Sequence, residues 1–224
     1  MSLFENTDGG GRRGRPVADR AIFAAAISAH SHNLRESVDH SLSASAEHFL
    51  LGNGTRAITR PIRPVDGAAL SRGLRRLSPE GHAYRFLHYR KRFTEVELRY
   101  LTHCDFIDHI ALILALLDAG GRETDQVGVA RCIRSKDDPQ LAEVAIVLVD
   151  ECQRLGGGTA LIRHLARLAW HAGIRRWQAF SLEGNTAILK LLDRVGTRIS
   201  HRTSGHGAVE ATYELKRPYN PPPA

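Results

Sequence analysis

Apolar residues gather in four stretches of strand length: HIALILALL (109–117), QVGVARCIR (126–134), LAEVAIVLV (141–149) and IRRWQAFSL (174–182). Their length and their β-branched content predict strands, and QVGVARCIR also alternates. The short turn KDDPQ between the second and third predicts an antiparallel hairpin. Elsewhere the period is helical. VDGAALSRGLRRLS puts Leu70, Leu74 and Leu77 on one side, and TEVELRYLT opens with Thr94 and Glu97 at capping-box spacing. Leu161, Ile162, Leu165, Leu168 and Ala169 mark one buried face of a helix that Gly173 ends. Asn185 to Arg194 predicts another helix, with Ile188, Leu189, Leu191 and Leu192 on its apolar face. RISHR and AVEATYELK predict a final strand pair.

The N-terminal part has a different texture. Residues 1–20 are rich in Gly and Arg and are expected to be a disordered basic tail. Residues 21–55 read as a helical extension, because 19–50 contain neither Pro nor Gly. Such helices would pack on the domain or mediate a homodimer. The turn LGNGTR and the short strand ITRPIRP then open a domain over residues 56–217, and 218–224 form an extended tail.

Composition narrows the class. With 42% hydrophobic and 25% charged residues, the chain reads as soluble and globular. No apolar run approaches bilayer length and no signal-peptide core is present, so neither a membrane nor an export role is expected. The scattered Cys104, Cys132 and Cys152 suit a reducing cytoplasm and offer neither a disulfide framework nor a metal site. The formal charge of +7 lies partly in the tail arginines and otherwise beside acids, so a nucleic-acid partner is not expected, whereas a basic cleft for an anionic cosubstrate is.

The stretch ECQRLGGGTALIRHL holds the most informative feature. A strand, a glycine turn and a helix start together make an anion site, because the first helical N–H groups lack intrahelical partners and glycine permits close approach. No Lys-Ser/Thr pair follows, so this is not a P-loop, and the third dinucleotide-binding glycine is missing. A plain tight turn is the alternative.

Gln153-x-x-Gly156-x-Gly158, after an apolar strand and before an amphipathic helix, resembles the acetyl-CoA-binding motif of the GNAT acetyltransferase superfamily. AFSLEGNTAILKLLDRVG resembles the next element of that superfamily, and the order agrees over roughly residues 56–217. TRPIRPVD, RRLSPEGHAYRF, TEVELRYLTHCDFIDHIAL, GVARC and AEVAIVLVDECQRLGGG resemble the bacterial Pat-type protein lysine acetyltransferases. The resemblance implies an α/β GNAT fold: a mixed sheet of about six or seven strands with helices on both faces. It implies acetyl-CoA as cosubstrate and protein lysine as acceptor. Many of these proteins fuse the domain to a synthetase-like or cyclic-nucleotide-binding region; about 55 residues precede it here, so regulation by those routes is not expected. The match has three departures: Arg154 where the motif usually has glycine, Thr197 after Gly196 where Phe is usual, and Leu192 where many relatives carry a general-acid Tyr. The proton donor for the thiolate is therefore unassigned.

An acetyl transfer to lysine needs a base, since a free amine of pKa ~10.4 arrives protonated. Glu143 is an acid within an apolar strand, and the resemblance places the Pat-type catalytic glutamate there. A hairpin ion pair with Arg131 is the alternative. The main chain of Ile146, Val147 and Leu148 is expected to pair with the pantetheine arm as an added strand. Gln153, Arg154, Leu155, Gly156, Gly157, Gly158 and Thr159 form the expected cofactor turn, with pyrophosphate on the N–H groups of Leu155 to Thr159. Asn185 either bonds the pantetheine or caps its helix. A small-molecule amine acetyltransferase and a non-catalytic CoA-binding sensor are the rival functions. Cys104 beside His103 is a poor nucleophile pair if both lie on a strand.

Overall fold

The computed structural model describes residues 45–86, 92–204 and 207–218. Eight strands form one sheet in the order β1-β2-β3-β4-β5-β6-β8-β7. They are β1 (Glu47–Leu50), β2 (Arg56–Pro61), β3 (His109–Leu117), β4 (Glu123–Arg134), β5 (Leu141–Leu148), β6 (Arg176–Leu182), β7 (Gly196–Thr203) and β8 (Ala208–Leu215). The helices are α1 (Gly67–Arg75), α2 (Pro79–Phe86), α3 (Glu95–Thr102), α4 (Gly157–His171) and α5 (Thr186–Asp193). Every neighbouring pair is antiparallel except β5 and β6, which are parallel and joined through α4.

The sheet is mixed and α/β, as expected, but has eight strands rather than six or seven. The additional one is β1, inside the segment read as helical. Its four residues, EHFL, alternate in burial and pair with β2 from Glu47↔Thr59 to Leu50↔Arg56. Cross-strand pairing outweighs the absence of Pro and Gly, which is only a weak helix signal. Residues 21–44 and 219–224, the remainder of the predicted helical extension and most of the predicted tail, lie outside the described residues, as does the basic tail at 1–20. The helix α2 carries no clear apolar stripe and was not expected. Among the described residues, no helix is long and apolar enough to cross a membrane.

Strand β3 is buried on both faces. Ile110, Leu112 and Leu114 face the main core, where Leu161, Ile162 and Leu165 of α4 pack. Ala111, Ile113 and Ala115 join Ile58 and Ile62 in a second, smaller core. This explains a continuous apolar run instead of alternation. The expected capping box opens α3: Thr94 Oγ1 accepts from Glu97 N at 3.3 Å, and Glu97 Oε2 accepts from Thr94 N at 2.8 Å. Gly173, at φ 85°, ends α4 as expected.

A buried polar knot fixes the entry to α1. Arg60 donates to Asp66 through Nη1 at 2.8 Å and Nη2 at 2.9 Å, and to Glu123 through Nε at 2.6 Å. Asp66 also accepts from the Arg63 amide at 2.7 Å and from Gln126 Nε2. Burial alone would raise the Asp66 pKa, but the Arg60 and Arg63 donors outweigh it and hold the carboxyl below its usual range. The knot ties β2, β4 and the start of α1 together, so α1 is held over the sheet.

Candidate active site

The β5–β6 ladder runs from Leu141↔Arg176 to Val144↔Ala179. Beyond it the two strands continue separately: β6 pairs with β8 as far as Leu182↔Ala208, and β5 pairs with β4 as far as Leu148↔Gly128. Ala145 to Leu148 thus form one arm of a fork, with Ala145 at its apex. An open strand edge beside a parallel neighbour is suited to an extended, amide-containing ligand that hydrogen-bonds like another strand. Ile146, Val147 and Leu148, expected to meet the pantetheine, are all on this arm.

The arm ends at the glycine turn. Arg154 and Gly156 both have positive φ, 59° and 91°, and Gly156 is the N-cap of α4. Each of the three glycines answers a separate demand. A Cβ on Gly156 would meet open space, so its requirement is conformational. A Cβ on Gly157 would lie 2.6 Å from Leu114 Cδ2, so the helix starts in contact with the sheet. A Cβ on Gly158 would lie 3.3 Å from Leu191 Cδ1. The helix start leaves the amides of its first turn unpaired within the helix and directs a positive dipole end toward the fork mouth. Leu155 O accepts from Gly52 N at 2.8 Å, which braces the turn against the β1–β2 connection. Gln153 Nε2 folds back to donate to Leu148 O at 3.3 Å and Asp150 Oδ1 at 3.0 Å. Leu155 and Thr159 complete the turn, both half-buried. Asn185 occupies the N-cap position of α5, yet its side chain makes no capping hydrogen bond.

Glu143 lies two residues before the apex, half-buried, on the same sheet face as Ala145 and Val147. In register it opposes Ile133, while Arg131 opposes Ala145. Arg131 is 5% exposed; its guanidinium donates to Leu101 O at 3.3 Å from both terminal nitrogens and meets His109 Nε2 at 3.0 Å. The expected alternative, an ion pair with Glu143, is thus not where these contacts go. Burial and then the Arg131 charge push the His109 pKa down to about 3, so its ring is neutral and Nε2 accepts. Tyr100 stacks on His109 with centroids 4.9 Å apart. Burial raises the Tyr100 pKa; Arg131 opposes this, and Cys104, Glu143 and Asp105 add to it.

Of these side chains Arg131 borders a cavity of about 70 Å³ between α1 and the sheet, walled also by Leu74, Phe93, Val129 and Val147. His109 and Arg131 were not singled out as a pair in the sequence: they lie far apart in the chain, and only the β3–β4 register joins them. His103 and Cys104 do not lie on a strand: they follow α3, His103 being its C-cap. His103 Nδ1 contacts Arg99 O at 2.9 Å, and burial pushes the Cys104 thiol up to about 12, so it carries no thiolate chemistry at neutral pH.

A forked parallel pair, a glycine-capped helix start at its mouth and a carboxylate beside its apex are the arrangement of an acyltransferase that takes its acyl group from a CoA thioester. The acetyltransferase (GNAT) family model matches residues 81–197, just over half of the chain, and the chain belongs to that family. It is an acetyl-CoA-dependent N-acetyltransferase. It is 28% identical over 156 residues to acetyltransferase PA5475 of Pseudomonas aeruginosa, covering 69% of this chain and 82% of that protein. It is 31% identical over 137 residues to acetyltransferase Pat of Mycolicibacterium smegmatis, covering 61% of this chain and 40% of that protein, so it spans well under half of that relative. Among solved structures, the GNAT domain of S. lividans PAT superposes with a TM-score of 0.66 at 28% identity, covering 77% of this chain and 98% of that one. The fold is shared with yncA of Salmonella typhimurium, solved with its cofactor acetyl-CoA, at TM-score 0.55 and 16% identity over 71% of this chain and 93% of that one.

Proposed function

We propose that the chain acetylates lysine side chains of proteins, with Glu143 as general base. The observation that carries this is the placement of Glu143: two residues from the fork apex, on the sheet face that also borders the cavity under α1. An amine approaching the apex from that face meets the carboxylate before it meets any other acid on β5. The Pat-type resemblance of the same segment, and of the segments before it, favours a lysine acceptor over a small amine.

Glu143 takes the proton from the ammonium form of the acceptor, directly or through water. Main-chain groups of Ile146 to Leu148 hold the pantetheine along the fork, and one of their N–H groups faces the carbonyl that becomes the oxyanion. The first-turn amides of α4, from Gly157 to Thr159, take the pyrophosphate, with Gly156 giving close access to the main chain. Arg154 adds a positive charge beside them, and Asn185 is available to the pantetheine from the opposite arm. A cytoplasmic setting suits the free thiols of Cys104, Cys132 and Cys152.

The test is mass spectrometry of lysine acetylation in a lysate incubated with acetyl-CoA and either the wild-type chain or Glu143→Gln. Acetyl-lysine should rise on specific proteins with wild type and hardly at all with the variant. Acetylation of small amines without any gain on protein lysines would overturn the acceptor assignment.

A further inference from the structure

Among the described residues, the buried polar side chains have partners close by, with one exception. Thr59 meets His164, Arg60 donates to Asp66, Thr102 donates to Leu98 O, and His109 meets Arg131. His82 is engaged by the main chain of Leu74. The exception is Ser181. It is 3% exposed, and its hydroxyl makes no hydrogen bond to any described residue. A buried hydroxyl without a partner costs stability, so its place in the fold needs a reason.

That place is inside the fork. The last rung of the β5–β6 ladder is Val144↔Ala179. Ser181 follows two residues later, on the same face as Ala179, where the main core, α4 and α5 lie. Ala145 marks the apex one residue past the rung on β5, so Ser181 stands one residue further toward the mouth, level with Ile146. Leu192, where the resemblance expects a tyrosine, is buried in the same core, so α5 brings no proton donor there.

We propose that the Ser181 hydroxyl donates a hydrogen bond to the CoA sulfur as the thioester breaks and so stabilises the leaving thiolate. This rests on reading the fork as the acyl-CoA site, with the acyl group at the apex and the pantetheine running to the mouth. The sulfur then follows the carbonyl carbon toward the mouth by a single bond. That brings it past Ala145 to the level of Ile146 and Ser181, since one residue covers about 3.3 Å of strand. Glu143 is on the opposite face of the sheet. The amine and its base therefore approach from one side, and the leaving group is met from the other. The acceptor nitrogen bonds to the thioester carbon, the carbon–sulfur bond breaks, and its electron pair stays on sulfur. A serine hydroxyl is too weak an acid to surrender its proton to a thiolate, so it holds the charge without neutralising it. Beside the apolar Ile146 and Leu192 such a bond is stronger than in water. Starting from the ammonium, the acceptor nitrogen gives up two protons: one is released to solvent, and the other is matched by the proton that CoA takes from solvent to become its thiol.

The experiment uses the full chain, with free CoA, the thiol product, as the probe. The pKa of the bound thiol is read from the ultraviolet absorbance of its thiolate, as a difference against the complex with desulfo-CoA, for wild type, Ser181→Ala and Ser181→Thr. Calorimetry gives the affinity for acetyl-CoA, and steady-state kinetics give the turnover. Wild type should hold the bound thiol below its value in free CoA, because a hydrogen bond to the charged form favours that form. Ser181→Ala should raise the value by about one unit or more and cut turnover roughly ten- to a hundredfold, with acetyl-CoA affinity changed by less than about threefold, as expected for a lost hydrogen bond to a charged group. Ser181→Thr keeps the hydroxyl and should recover most of both. Without ligand, Ser181→Ala should melt at or above the wild-type temperature, since it removes an unpartnered buried group. A bound thiol that titrates alike in wild type and Ser181→Ala overturns the proposal. So does an Ala variant that does not fold, which would mean that the hydroxyl is bonded within the protein. Weaker acetyl-CoA binding with an unchanged thiol pKa overturns it too and gives the hydroxyl to a pantetheine amide. In each of these cases CoA still binds wild type; failure of CoA to bind wild type overturns the reading of the fork as well.

Discussion

Gly157 stands so close to Leu114 that a Cβ on it would lie 2.6 Å from the leucine's Cδ2. Gly157 therefore sets the contact distance between the start of α4 and the sheet, while Gly156 meets a conformational demand and Gly158 packs near Leu191. Substitutions should separate these roles. Gly157→Ala should lower stability by about 1–3 kcal/mol through overpacking. Gly156→Ala should lower it by about 1–2 kcal/mol, because a Cβ at φ 91° is strained although nothing blocks it. Gly158→Asp should fold, since the flexible end of Leu191 can move, but on the proposed pyrophosphate site it should abolish the rise in melting temperature expected from acetyl-CoA, because its carboxylate would repel the phosphates. Urea denaturation and melting with and without acetyl-CoA measure all three. A full acetyl-CoA shift in Gly158→Asp would move the pyrophosphate elsewhere.

The domain boundary has a consequence of the same kind. The sequence suggests that a chain starting near Gly54 retains cofactor binding. The structure argues against that start: Leu51 is 3% exposed and would touch a Cβ on Gly157, and Gly52 N holds Leu155 O at 2.8 Å. A chain beginning at Ser45 should keep the acetyl-CoA shift, while one beginning at Gly54 should lose most of it along with roughly 2 kcal/mol or more of stability, the burial of Leu51 alone accounting for about that amount. Equal shifts in the two truncations would show that the β1–β2 connection does not brace the turn.

How much of this was legible depends on how local the signal is. The hairpin β4–β5, the capping box at Thr94 and Glu97, and the face of α4 follow from residues within a few positions of one another. The glycine turn before a helix start was readable from the sequence, but the separate demands on Gly156, Gly157 and Gly158 were not, because Leu114 and Leu191 come from distant elements. β1 was misread since four alternating residues carry little pattern, and their strand character comes from pairing with β2. Glu143 stood out as an acid in an apolar strand. Arg131 could be named only as its possible ion-pair partner; its contacts with His109 and Leu101 depend on a β3 register and an α3 position that no local pattern specifies.

His164 gives a prediction for pH. It is 1% exposed within α4, with Nδ1 at 2.9 Å from Thr59 Oγ1 and Nε2 at 3.7 Å from Glu47 Oε1, a carboxylate that Arg167 also engages. Burial pushes its pKa down to about 4. The group is thus harder to protonate folded than unfolded. Its contribution to stability is complete above the unfolded value of about 6.5 and is lost as pH falls toward 4, by on the order of 3 kcal/mol. His164→Asn, which can still bond Thr59, should be less stable at pH 7 yet show a flatter decline from pH 7 to 4.5. Denaturant midpoints across that range measure it, and parallel curves for the two proteins would remove His164 from the account.

Glu143→Gln bears on the chemistry most directly. The change keeps size and hydrogen-bonding capacity and removes the base. The proposed cofactor contacts are main-chain groups from Ile146 onward, so acetyl-CoA affinity should hardly move. Turnover at neutral pH should fall by roughly 10²–10⁴, the usual contribution of a positioned base. The deficit should narrow as pH rises toward the lysine's own value of about 10.4, because solvent then supplies the neutral amine. A purely structural Glu143 predicts the reverse pattern, lower stability with rates preserved at every pH. Melting temperature, acetyl-CoA affinity and a pH–rate profile on the same variant separate the two. A stable, CoA-binding Glu143→Gln protein with wild-type turnover at pH 7 would eliminate Glu143 as the base.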